Sequence, residues 1–363
     1  MRILAAVGPG EVRVVVWGDG VVDAAVWRPG SPDGVGDVYR GRVTRKAPAM
    51  AGAFVALVDG DGFLPDSAGA ERATEGDVVA VRVTRAAQGG KGPRLACVAR
   101  DAGAGPPALL ERGANPILRL AALHPGADVT VDDAGVAAGL RPVLGPRVWI
   151  APAFDEEVET AFAGLLEPSA DLPGGARLHV HITPALTALD VDLGAASAER
   201  RTKAGAQAAA NRALIPALAR QIRLRNLSGA ILVDLGGMAA KRRAALAPDF
   251  MAALKDDPLH TRFLGFTVLG LAEIQRPRVH PPLAEFAVGP LAAGLAALRA
   301  AAARSAAAPG RALTLHATPA IITALRADAA GLADFARRAG RPLALVETRA
   351  TPAPAWTVEN SHV

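Results

Sequence analysis

Apolar residues recur along this chain in short runs whose spacing changes character from one stretch to the next. Residues 3–7, 11–17 and 21–27 are apolar runs broken by Gly8-Pro-Gly10 and Gly18-Asp-Gly20, and the second break is a hairpin signal. Residues 29–36 read as a linker. Beyond it, residues 38–45 alternate, with Tyr39, Gly41 and Val43 on one face and Arg40, Arg42 and Thr44 on the other. Further runs at 54–58, 62–64, 78–85 and 95–99 follow, separated by turn residues. Period-two runs predict strands, and five in so short a stretch predict a small closed barrel.

After a Gly/Pro linker at 101–107, helical and strand patterns alternate until Pro281-Pro282. Two apolar runs there end in carboxylate: Thr187-Ala-Leu-Asp-Val-Asp192 and Ala230-Ile-Leu-Val-Asp234. Between them residues 204–224 carry Leu214, Leu218 and Ile222 at helical spacing, which predicts a strand–helix–strand crossover with parallel strands. Strand side chains alternate, so Asp190 and Asp192 share a face, and parallel strands end at the edge where open sheets place ligands. Three carboxylates there repel one another unless a cation intervenes. Oxygen donors without Cys favour Mg²⁺ or Mn²⁺. Taken singly, each Asp also fits a helix cap or turn, and Asp234 precedes Leu235-Gly236-Gly237. Residues 291–308 predict an Ala-rich helix, and the rest alternates helix and strand.

At 363 residues the chain predicts two to four domains. Aromatics make up only 4%, so Phe54 and Phe63, among small or polar neighbours, stand out. With Lys91 and Arg94 on the loop Gln88-Gly-Gly-Lys-Gly-Pro-Arg94, they suit single-stranded nucleic acid, bases stacking on rings and cations holding phosphates. The alternative is that both Phe residues are core. Net charge is +5, a mild bias towards a polyanion. Arg220, Arg223 and Arg225, then Lys241-Arg-Arg243, then Arg276 and Arg278 flank the acidic edge, as a solvated face or as phosphate partners. The lone Cys97 excludes a disulfide framework and a Cys-based zinc cluster within one chain, and reads as core. His179 and His181 read as structural or surface. No nucleophile elbow or phosphate-binding glycine loop is present. The first apolar run is too short for a signal peptide or a span, and no run reaches about 18 apolar residues, so a soluble cytoplasmic protein is expected.

Several segments resemble the bacterial ribonuclease E/G family. Gly36-Asp-Val-Tyr-Arg-Gly-Arg-Val-Thr-Arg45, Ala53-Phe-Val-Ala-Leu57, Gly62-Phe-Leu-Pro65 and Gly90-Lys-Gly-Pro-Arg-Leu95 are similar to its RNA-binding OB module. Leu186-Thr-Ala-Leu-Asp-Val-Asp192, Arg220-Gln-Ile-Arg-Leu-Arg225, Ile231-Leu-Val-Asp-Leu-Gly-Gly-Met238 and Leu269-Gly-Leu-Ala-Glu-Ile-Gln-Arg-Pro-Arg278 resemble its catalytic motifs, in the same order. The resemblance implies a multidomain α/β fold, with an OB-fold barrel (36–100) inserted in an RNase H-like domain (1–35 and 105–165). A DNase I-like catalytic domain (166–283) and a small C-terminal α/β domain (284–363) follow.

It further implies a Mg²⁺-dependent endoribonuclease that cuts single-stranded RNA to 5′-phosphate and 3′-hydroxyl ends. Asp190 and Asp234 match the metal-binding positions, and Asp192 falls where the family usually has Asn, which supports the attacking water. Phe54, Phe63 and Lys91 match the residues that pin RNA, and from the basic loop and clusters read above, Arg94, Arg223, Arg225 and Arg242 are expected as further RNA contacts. Three departures stand out. Zinc-link cysteines are absent after residue 283, so no structural zinc and no zinc-linked oligomer is expected. The 5′-monophosphate sensor domain is missing between Arg100 and Leu109, and Asp192 replaces Asn. The other function classes open at this point are a non-catalytic RNA-binding protein on the same fold and a DNA nuclease.

Overall fold

The computed structural model describes residues 1–194, 204–236, 238, 240–348 and 355–360, apart from the side chains of 204–206, 240 and 241. It falls into two compact units. One comprises Met1–Pro32, Asn115–Glu167 and Leu283–Val363, the other Asp33–Ala114 and Pro168–Pro282. The chain opens in the first unit with an antiparallel meander of β1 (Arg2–Gly8), β2 (Glu11–Gly18) and β3 (Gly20–Trp27).

It then builds a barrel in the second unit from β4 (Val38–Ala47), β5 (Gly52–Leu57), β6 (Gly60–Pro65), β7 (Val78–Arg85) and β8 (Arg94–Cys97). The strands pair in the order β5-β6-β8-β7-β4, and β4 pairs back with β5, so the five strands close a ring. A sixth strand, β9 (Ala108–Glu111), adds to β4. The alternation read from the sequence explains the closure. Tyr39, Val43, Ala53, Val55, Leu64, Val81, Val83 and Leu95 all point inward and fill the barrel. Buried Asp37 locks the junction by accepting from Gly113 N at 2.7 Å and from the Arg112 guanidinium at 2.7 Å. Cys97 departs from the reading as core: it is exposed, because the β7–β8 ladder ends at that residue and leaves it at the barrel rim.

Returning to the first unit, α1 (Pro116–Leu123), β10 (Asp128–Val131), α2 (Ala134–Leu144), β11 (Val148–Ile150) and α3 (Glu156–Leu166) complete a sheet of order β11-β10-β1-β2-β3. Each of these helices starts on an Asn or Asp side chain that accepts a backbone N–H of its first turn: Asn115, Asp133 and Asp155.

The second unit's large sheet follows. Its strands are β12 (Ser169–Leu172), β13 (Ala176–Ile182), β14 (Leu186–Asp192), β15 (Gly229–Leu235), β16 (Arg262–Phe266) and β17 (Ala272–Arg276), ordered β12-β13-β14-β15-β17-β16. The parallel pair β14–β15 is joined through the crossover helix α4 (Ala204–Leu224); α5 (Ala240–Arg243) and α6 (Ala247–Leu254) come next. Leu214, Leu218 and Ile222 of α4, with Phe250 and Leu254 of α6, join Leu189, Val191, Ile231, Val233 and Leu235 in one core. Period-two alternation therefore turns Asp190, Asp192 and Asp234 to the opposite, uncovered face, where all three are exposed. Back in the first unit, α7 (Gly289–Ala307), β18 (Leu313–Ala317), α8 (Pro319–Ala327), α9 (Ala329–Ala339), β19 (Ala344–Glu347) and β20 (Trp356–Asn360) form a small α/β layer with strand order β19-β18-β20. The fold is mixed α/β with a closed five-stranded barrel. Among the described residues no helix is long and apolar enough to cross a membrane.

Candidate active site

Asp190 on β14 and Asp234 on β15 are direct cross-strand partners in a parallel ladder. Adjacent strands lie about 4.8 Å apart, so the two carboxylates face one another across a single strand spacing. On the other side of Asp190 the partner is His179 of β13, and Asp192 is paired with Arg177. Asp192 Oδ1 accepts the backbone N–H of Gly194 at 2.8 Å, a turn contact that leaves Oδ2 to other uses. Among the described residues no three His, Cys, Asp or Glu side chains gather closely enough to enclose a metal ion. The close grouping is thus the pair Asp190–Asp234.

A cation stands beside that pair. Arg243 Nη1 lies 3.6 Å from Asp234 Oδ1, while its Nε donates to Met238 O at 2.8 Å and Nη1 donates to Gly270 O. Two backbone acceptors hold the guanidinium, and the ion pair is an addition to that fixed geometry. Of the Lys241-Arg-Arg243 cluster, Arg242, the residue expected to contact RNA, has an exposed side chain. A helix of four residues is too short to show a periodicity that would distinguish the two. Lys241, from the same cluster, has a side chain outside the described residues.

The structure brings two other expected cations to different places. Arg223, in the last turn of α4, is half-buried. Arg225 is 3% exposed, donating from Nε to Gln221 Oε1 at 2.8 Å and from Nη2 to Ser169 O at 3.1 Å. A guanidinium committed to the interior cannot contact RNA, so Arg225 is a packing residue that ties α4 to β12.

On the barrel, Phe54 and Phe63 are cross-strand partners on β5 and β6 and stand outside the barrel's core. Their rings meet edge to face with centroids 5.7 Å apart, and the Arg45 guanidinium lies 4.8 Å from the Phe54 centroid. Gly52 makes room for them, since a Cβ there would come within 2.5 Å of Phe63 Cζ. The register continues sideways: Arg45 pairs with Phe54, Phe63 with Arg94, and Arg94 with Arg85. The barrel therefore carries one transverse row, Arg45–Phe54–Phe63–Arg94–Arg85. Arg45 and Arg85 were missed from the sequence because their place in the row depends on register shifts in β4 and β7. Lys91 is exposed on its loop, where Gln88 and Lys91 exchange both backbone hydrogen bonds at 3.1 and 3.2 Å.

Residues 150–279, which include both aspartates and Arg243, match the model of the ribonuclease E/G family. The chain is similar to that family over this segment, about a third of its length. The chain is 33% identical over 127 residues to ribonuclease E of Nostoc sp., covering 33% of this chain and 18% of that protein. It is 34% identical over 129 residues to ribonuclease G of Salmonella typhimurium, covering 35% of this chain and 26% of the relative. Against ribonuclease G of Haemophilus influenzae the identity is 32% over 134 residues, or 36% and 27%. The alignments thus span about a quarter or less of these relatives' lengths.

Proposed function

We propose that this chain is a Mg²⁺-dependent endoribonuclease that hydrolyses single-stranded RNA to 5′-phosphate and 3′-hydroxyl ends. The observation that carries the reading is the opposition of Asp190 and Asp234 on an uncovered sheet face, beside Arg243, within the ribonuclease E/G segment. On this reading residues 36–100 are the RNA-binding OB module, 166–283 the DNase I-like catalytic domain, and 1–35 with 105–165 the RNase H-like domain.

The donor set fits Mg²⁺. Two exposed carboxylates, with no third His, Cys, Asp or Glu gathered beside them among the described residues, suit an ion that keeps most of its waters and takes one or two carboxylates plus substrate phosphate oxygens. When bound there, the ion supplies a more acidic water and polarises the scissile phosphate. Asp190 and Asp234 would hold it, and the free Oδ2 of Asp192 would orient the attacking water. That water adds to phosphorus as the bond to the 3′ oxygen breaks, which leaves the phosphate on the 5′ end of the downstream product. Arg243 is placed to offset charge on the phosphate's non-bridging oxygens. Phe54 and Phe63 would stack bases, with Lys91 and Arg94 holding the backbone.

Incubating the purified chain with unstructured RNA and with matched DNA, in Mg²⁺ or EDTA, tests the proposal. Cleavage of RNA in Mg²⁺ alone is expected. RNA binding without cleavage would sink the enzymatic reading, and equal cleavage of DNA would sink the RNA assignment.

A further inference from the structure

The transverse row on the barrel ends in a cluster of arginines, Arg94 and Arg85, that form no ion pair among the described residues. Arg85 is half-buried, and its Nε is shielded from solvent with no hydrogen-bond partner. Its cross-strand neighbour is Arg94, and a third guanidinium, that of Arg278, acts on it as well. Burial first, and then the charges of Arg94 and Arg278, hold Arg85 below the ordinary arginine range; no carboxylate figures among those causes. Three residues along, Gln88 Nε2 is likewise buried with no acceptor.

Arg278 is delivered to this cluster by rigid parts. Ala86 N donates to Val279 O at 2.8 Å, which joins the end of β7 to the segment after β17. Asn226 Nδ2 donates to His280 O and Pro281 O, both at 2.8 Å, and Arg276 is locked to Asp257 at 2.7 Å. Gly229 leaves room for the Arg278 guanidinium, which a Cβ at that position would strike. The Arg278 Nη2 donates a long bond, 3.3 Å, to Ala185 O.

Orphaned donors and mutually repelling cations, held by a stiff frame, are the mark of a site whose anion comes from outside. Building on the RNA-binding reading, we propose that Arg85, Arg94 and Arg278 form a phosphate subsite for the backbone of the bound strand, next to the base stacked on Phe63. Arg278 lies by Gly229 at the start of β15, and Asp234 lies five residues further along that strand, roughly 17 Å away. The subsite thus grips the strand at a distance from the scissile bond and sets which linkage reaches Asp190 and Asp234.

The test measures binding of a labelled unstructured RNA oligonucleotide to the full chain, carrying Asp190→Asn to block cleavage, as a function of salt. Each of Arg85→Gln and Arg278→Gln is expected to lower the slope of log affinity against log salt by about 0.7, the value for one phosphate contact on a single strand. Phe63→Ala is expected to weaken binding with the slope unchanged. Arg85→Gln without RNA should melt no lower than the parent, because it removes repulsion. Unchanged slopes in both Arg variants, with Phe63→Ala still defective, would overturn the subsite and leave the RNA-binding reading standing. A lowered melting temperature for Arg85→Gln would make the cluster structural and also overturn it. Failure of the parent to bind RNA at all would remove both readings together.

Discussion

Asp190 and Asp234 are opposite residues of one parallel strand pair, so their carboxylates share an exposed face one strand spacing apart. Such a pair repels itself, and a divalent cation relieves the repulsion. Replacing either with Asn is expected to lower kcat for RNA cleavage by roughly a hundredfold or more, with RNA affinity within about twofold of the parent. Single-turnover cleavage and equilibrium binding on the same variants check this. Near-normal cleavage by either variant would dismiss the pair as the metal site.

Arg243→Ala is expected to impair cleavage, because it removes the cation fixed 3.6 Å from Asp234 and leaves Met238 O and Gly270 O without their donor. Arg243→Lys should recover little, since one ammonium cannot reproduce a fork bonded to two carbonyls and ion-paired with a carboxylate. Arg242→Ala, on an exposed side chain, should change binding only modestly. Equal kinetic defects for the 242 and 243 variants would contradict the geometry.

Phe54→Ala and Phe63→Ala should each weaken RNA binding by about 1–3 kcal/mol if their rings stack on bases. Their 5.7 Å edge-to-face contact makes the double variant non-additive. Both lie outside the barrel core, so circular dichroism and melting temperature should change little. Loss of fold without a specific binding defect would show that they are core after all.

The second unit should be acid-sensitive through Asp257. Burial alone would raise the Asp257 pKa, but the hydrogen bonds and charge of Arg276, with Thr261 and Leu259 N, outweigh it and hold the carboxyl below its usual range. A depressed folded-state pKa contributes stability that is complete above the unfolded value of about 3.9 and is lost as pH falls through the folded one. Asp257→Ala should cost about 3–5 kcal/mol near neutral pH, as it strands a buried guanidinium. Denaturant melts between neutral pH and pH 2 would show whether the acid-induced loss shrinks in Asp257→Asn.

RNAs that differ only in a 5′-monophosphate, 5′-triphosphate or 5′-hydroxyl end should be cleaved at similar rates. The segment between barrel and β9 is short, and Arg40 is occupied by it, donating to Ala104 O and Pro106 O at 2.8 Å. Arg147, on the segment that follows, is bonded to the carbonyls of His124 and Ala127. A tenfold preference needs about 1.4 kcal/mol of differential binding, which neither of these committed guanidinium groups is placed to supply. A strong monophosphate preference in a competition assay would refute this.

Much of the architecture was written in local pattern. Period-two runs gave the barrel strands and the meander, and the Leu214–Leu218–Ile222 spacing marked the crossover helix, because burying one face imposes a period that any chain must obey. The same rule put Asp190 and Asp192 on one face and Asp234 at the same edge. What alternation cannot supply is register between strands or the partner of a long side chain. The pairing of Asp190 with Asp234, rather than a cluster of three, came from the ladder. Arg225 went inward and Arg243 turned to Asp234 because buried carbonyls and side-chain amides needed donors, a demand set by residues distant in sequence. The row from Arg45 to Arg85, and the approach of Arg278 to its end, exist only once five strands close into a barrel and a later segment docks on it. Local periodicity decided which residues are strands and which face they show; tertiary pairing decided which charges meet.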